Sequence, residues 1–181
     1  MTTSLDVRQR RPRPFRSLAH CAALIPLAAW ALLTVLGGRS SSAVTTWFRL
    51  LRRTVPGSSS PGPAAVVGHA VLSLLLGLAA LVPLGIEVLF VLRGIFYGLV
   101  DPGPYDTSWG GPSRAGAWAA HFLLALPMAA AALLVLVGIA AVHRRLTEGL
   151  AGGGRAPWVI PVAVAIPLPA AVFFVAWLHQ I

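Results

Sequence analysis

The chain has 181 residues, 57% of them hydrophobic and 10% charged, a balance too apolar for an ordinary water-soluble domain. A net charge of +9 would point a soluble protein towards nucleic acid. Here the arginines flank long apolar runs, where charge orients a membrane protein and meets anionic lipid, so membrane lipid replaces nucleic acid as the expected partner.

About 20 apolar residues in a helix cross the roughly 30 Å hydrocarbon core. Residues 18–36, 64–100, 117–142 and 158–178 meet that length. The expected fold is an all-α integral membrane helical bundle of about four transmembrane helices, the second of them long. The chain divides into a basic disordered tail (1–17), a first membrane segment (18–36), a basic interfacial segment and linker (37–63), and a hairpin with a C-terminal transmembrane helix (64–179). All 14 basic residues are arginine, with no lysine and no asparagine. This is the codon bias of a GC-rich bacterial genome, so the expected location is a bacterial cell membrane, crossed several times.

In chain order, the tail carries Arg8, Arg10, Arg11, Arg13 and Arg16 against Asp6 alone, a topogenic signal on a membrane surface. The apolar run after it is long for a cleaved signal peptide, and an uncleaved anchor is expected. Between Thr46 and Arg53, aromatic, aliphatic and basic residues mix in a way that suits a short interfacial helix. Pro56-Gly-Ser-Ser-Ser-Pro-Gly-Pro63 then reads as a flexible linker.

Residues 64–100 make either one long projecting helix or a helix kinked at Pro83 and Gly85. Glu87 and Arg93 lie in its second half. Six positions apart, they point about 120° away from each other on an ideal helix, so an intrahelical ion pair is not expected. Ionisable groups at membrane depth are functional candidates by default, against a snorkelling arginine and a paired or neutral carboxyl. His121 falls at similar depth in the next span, and Glu87, Arg93 and His121 form the candidate polar cluster.

The turn, residues 101–116, is rich in proline and glycine, a composition that specifies tight turns. Tyr105, Asp106 and Trp109 make it a candidate recognition loop, with the aromatic residues doubling as interfacial anchors. Residues 117–142 carry no formal charge and hold Ala129-Ala-Ala-Ala132, small residues that let helices approach. His143 to Gly149 reads as a basic amphipathic exit, and Pro161, Pro167 and Pro169 predict a bent last helix. Arginines flank the hairpin and thin out in its turn, which places the turn outside. The arginines of the tail nearly cancel that bias if residues 18–36 cross fully, and the side of the N-terminus stays open.

No HExxH, GxSxG or phosphate-binding glycine loop occurs. His69 and His121 fall near opposite faces and cannot share a metal, and Cys21 is the only cysteine. No catalytic, cofactor-binding or metal residue is expected, and no cofactor.

The runs Val71-Leu-Ser-Leu-Leu-Leu-Gly77 and Val82-Pro-Leu-Gly-Ile-Glu87, then Leu126-Pro-Met128 and Gly138 to Arg145, resemble the hairpins of the membrane sensor domain attached to actinobacterial histidine kinases. Asp101-Pro-Gly-Pro-Tyr105, Trp109-Gly-Gly-Pro112 and Gly116-Ala-Trp118 are similar to stretches of actinobacterial polytopic membrane proteins. The resemblance spans residues 64–145. It implies a sensor-like hairpin whose output needs a membrane-protein partner or a homo-oligomer, since this chain carries no kinase. The expected function is thus a non-enzymatic sensor-like or accessory membrane subunit. The alternative is a small transporter or channel subunit using Glu87, Arg93 and His121.

Overall fold

The computed structural model describes residues 14–52, 61–150, 152 and 156–179. The tail before Pro14, the stretch 53–60 and most of the glycine run after residue 150 lie outside them. The described residues contain helices and turns and no strand. In order these are α1 (Pro14–Leu36), α2 (Ser40–Leu50), α3 (Pro63–Leu89), a π-helical segment (Phe90–Ile95), α4 (Tyr97–Val100), α5 (Arg114–Leu150), α6 (Val159–Ala165) and α7 (Pro167–Leu178). Among the described residues, four stretches are long and apolar enough to cross a membrane: Pro14–Leu36, Pro63–Ile95, Arg114–Leu150 and Val159–Leu178. The chain is an all-α, multi-pass membrane protein.

Proline does not break the first three spans, including at Pro83, where a kink is one of the two expectations. α1 passes through Pro26, α3 through Pro83 and α5 through Pro127. Each proline removes one backbone donor, a loss that packed neighbours in a membrane bundle absorb. The second span stays helical past Pro83 and Gly85 and changes character only at Phe90. There the Phe96 N–H reaches back five residues to the Val91 carbonyl at 3.0 Å, the widened turn that defines a π segment. The last span does break, at Ile166 immediately before Pro167, because proline disfavours the helical conformation in its predecessor and cannot donate.

The inward faces follow helical spacing. α1 buries Ser17, His20, Cys21, Leu24, Ala28 and Ala31, one stripe along one side. Its residues Cys21 and Leu24 pack with Leu76 and Ala80 of α3, while Ala31 packs with Val66 and Ala70. Rising number on α1 meets falling number on α3, so the two are antiparallel. A Cβ on Gly77 would lie 2.8 Å from Ile25 Cγ1 and 3.1 Å from Leu24 Cβ. That absent side chain is what lets α1 and α3 cross closely. α5 returns antiparallel to α3, and α6 and α7 run back along α3. The start of α1 points towards the turn, but its first turns pack beside Leu76 and Ala80 and reach His143, well short of the turn.

α2 is helical as the sequence suggests, but its aromatic face points inward. Ala43, Val44, Trp47 and Phe48 are buried against Ala31, Val66, Ala70 and Leu150, leaving Arg49 on the exposed side. The helix closes the end of the bundle opposite the turn.

Candidate functional sites at the two ends of the hairpin

At the turn end, α4, the loop 101–113 and the first turns of α5 enclose a cavity of about 380 Å³. Asp101, Trp109, Tyr97 and His121 are among its walls. The loop holds its shape through its own backbone. The Tyr105 hydroxyl donates to the Asp101 carbonyl at 2.7 Å, and the Gly103 N–H donates to Asp101 Oδ1 at 3.2 Å. Gly110 has φ +98°, and a Cβ there would collide with the Gly116 carbonyl. Only glycine combines that dihedral with that contact. Arg114 ties the start of α5 to α4 across the loop by donating from Nη2 to the Gly98 carbonyl at 2.7 Å. Trp118 Nε1 donates to the Ile95 carbonyl at 3.3 Å.

Tyr97 lies one residue beyond the π segment, after Phe96, and its ring stacks on His121 with centroids 4.3 Å apart. Tyr97 is 3% exposed, so this stack is the floor of the turn end. His121 Nδ1 donates to the Ala117 carbonyl one turn back at 2.8 Å. A carbonyl only accepts, so Nδ1 carries the proton, and in the neutral ring Nε2 is left with a lone pair.

The far half of the bundle holds a second polar region. Three imidazoles from three helices meet among apolar side chains. His20 Nε2 lies 3.1 Å from His143 Nδ1, and His143 Nε2 lies 3.1 Å from Ser73 Oγ. Ser73 Oγ is 3.1 Å from His69 Nδ1, and His69 Nε2 is 3.1 Å from Thr147 Oγ1. Both hydroxyls also donate to the carbonyl one turn back, Ser73 to His69 at 2.7 Å and Thr147 to His143 at 3.0 Å. One assignment of protons serves every contact with neutral rings. His20 Nε2–H donates to His143, His143 Nε2–H to Ser73, and His69 Nε2–H to Thr147, while the Ser73 proton is shared between the His69 carbonyl and Nδ1. Trp47 covers the network, its ring 4.1 Å from that of His69.

The sequence-based candidates divide. Trp109 lines the cavity and is 74% exposed. Tyr105 acts as an internal brace of the loop, and Asp106 is exposed outside the cavity wall. Glu87, Arg93 and His121 do not meet. Among the described residues no hydrogen bond or ion pair joins them, Arg93 is exposed, and Glu87 Oε1 is buried with no hydrogen-bond partner. The wide turn of the π segment, which includes Arg93, lies between Glu87 and the turn and changes the facing of everything after it.

His20, His143 and the pairing of His69 with Ser73 escape a reading by motif. A signal existed: His69/Ser73 and His143/Thr147 are each polar residues four apart within apolar helices, hence on one face. Among the described residues no group of three or more His, Cys, Asp or Glu is arranged to hold a metal ion. Compared with protein-family models, curated proteins and solved structures, the chain matches none.

Proposed function

We propose that this multi-pass protein sits in a bacterial cell membrane and has no catalysis of its own. It serves there as a sensor-like or accessory subunit, recognising a small ligand at the outward-facing turn. It passes the result through its helices to a membrane-protein partner or a second copy. The observation that carries this reading is the cavity between Trp109, Asp101 and the Tyr97–His121 stack. Tyr97 opens the short helix joined to the second span through Phe96, so its displacement would reach that span through the π segment, which packs against α5.

The test is in two parts. In a Cys21→Ala background, Ser108→Cys should react with an impermeant thiol reagent on intact cells, while Ser42→Cys on α2 should not. Labelling of Ser42→Cys alone would put the turn inside and overturn external recognition. Photo-crosslinkers on exposed Leu134 and Phe173 should capture a membrane protein or a second copy; a chain that crosslinks to lipid only is not a subunit.

A second reading, a small transporter or channel subunit working through Glu87, Arg93 and His121, is favoured by one feature. The unpartnered buried oxygen of Glu87 is a group that ion or proton movement would use. Under that reading Glu87→Gln abolishes a flux measured in proteoliposomes; a wild-type chain that passes no ion or proton rejects it.

A further inference from the structure

We infer that the turn cavity binds the ammonium group of a protonated amine; this deepens the proposed recognition role and rests on it. The wall combines a carboxylate, an imidazole, the hydroxyls of Thr107 and Ser108 and two aromatic rings with a few apolar side chains. Asp101 is the one formal charge in the wall. Its Oδ1 accepts the Gly103 N–H, and no hydrogen bond from the described residues reaches its other carboxylate oxygen. His121 has committed its Nδ1 proton to Ala117, so Nε2 of the neutral ring is a second acceptor. Tyr97 and Trp109 add ring faces, which attract a cation through their quadrupoles.

The basic side chain that opens α5 is not in the wall. Arg114 is tied to the Gly98 carbonyl and lines a neighbouring depression beside Trp118 instead. Among the lining residues an anion would meet a carboxylate and two hydroxyls but no positive group to pair with. A bare divalent cation would find one carboxylate and one imidazole, too few ligands for calcium or magnesium. A primary ammonium fits: three donors to place on acceptors, and an organic body to lay against indole and phenol. At about 380 Å³ the space falls within the usual range for small-molecule sites. Because the turn lies at the end of membrane-spanning helices, the ammonium can belong to a free amine or to the headgroup of an aminophospholipid.

The experiment uses the full chain in maltoside micelles and three probes of matched shape. These are phenethylammonium, 2-phenylethanol and phenylacetate, followed by calorimetry. Phenethylammonium should bind saturably and the other two should not. Asp101→Asn should weaken it by about tenfold or more, the scale of a lost hydrogen bond to a charged group, and Trp109→Ala by several-fold. Asp106→Asn, outside the wall, should leave it unchanged. Repetition in nanodiscs with and without phosphatidylethanolamine separates the sources. Competition by that lipid assigns the ammonium to a headgroup, and undiminished binding assigns it to a free amine. Preferential binding of phenylacetate or 2-phenylethanol would overturn the ligand class while leaving the turn as a recognition site. If Asp101→Asn and Trp109→Ala both bind phenethylammonium as the unaltered chain does, the amine is not in this cavity. If no probe binds and both variants keep the crosslinks of the unaltered chain, the recognition reading fails as well.

Discussion

His121 at the turn and His143 at the far end of the same helix face different surroundings. His121 places one ring nitrogen on its own helix and leaves the other beside a cavity open to solvent. His143 is fully buried with both ring nitrogens engaged, one on His20 and one on Ser73. The difference is one of satisfaction. In the packed interior of the bundle an unmet polar group is expensive, so the imidazoles of α1, α3 and α5 are held in a closed set of hydrogen bonds that fixes how the three helices face each other. At the membrane surface water can serve any group a ligand leaves free, and spare acceptors persist there. The buried region reads as the part that holds the bundle, and the open region as the part that can respond.

That contrast can be broken by substitution. The largest effect on the bundle is expected from Trp47→Ala, which removes a side chain 1% exposed from the lid over His69. A loss of about 3 kcal/mol is expected, read as lowered thermal stability in micelles, with phenethylammonium binding retained. His143→Ala removes the centre of the network and strands Ser73 and His20. It should lower stability by about 2 kcal/mol, because hydrogen bonds between helices in a membrane are individually modest. If either variant abolished binding at the turn as well, the two regions would not be separable.

Gly110→Ala tests the other side. The positive dihedral and the collision with Gly116 should disorder the loop at a cost of about 1–3 kcal/mol. Faster amide exchange over residues 101–116 and lost amine binding are expected, with the melting of the bundle nearly unmoved. Arg114→Gln is the mildest. It exchanges a charged donor to Gly98 for a shorter neutral one, at a cost of about 1 kcal/mol, and should raise exchange only near the start of α5.

Much of this architecture is legible in the amino acids. Length and apolarity alone mark the four spans, and proline and glycine mark the turn and the break before Pro167. Depth along a helix is readable too, which is why Glu87, Arg93 and His121 look like neighbours. Which way a residue faces relative to another helix is a property of packing, and there the reading fails. The imidazole network depends on which stripes of α1, α3 and α5 meet. Its clue, two pairs of polar residues four apart, is visible only to someone asking which face is polar. The cavity was half legible: Trp109 lies in its wall, but Asp101 and Tyr97 join it only through the fold of the loop.

The π segment has one consequence for the length of the chain. A π turn corresponds to one residue inserted into an α-helix. Deleting a single residue between Phe90 and Ile95 should restore regular α-helix and leave Tyr97 facing as it does now, whereas winding all six residues as α-helix would swing the end of the span by about 100°. Tyr97 would then leave His121 and the cavity would lose its floor, while the helices below kept their partners. The widened turn therefore acts as a reading-frame adjustment in three dimensions. It sets the angle at which an otherwise ordinary membrane helix presents its end to the outside.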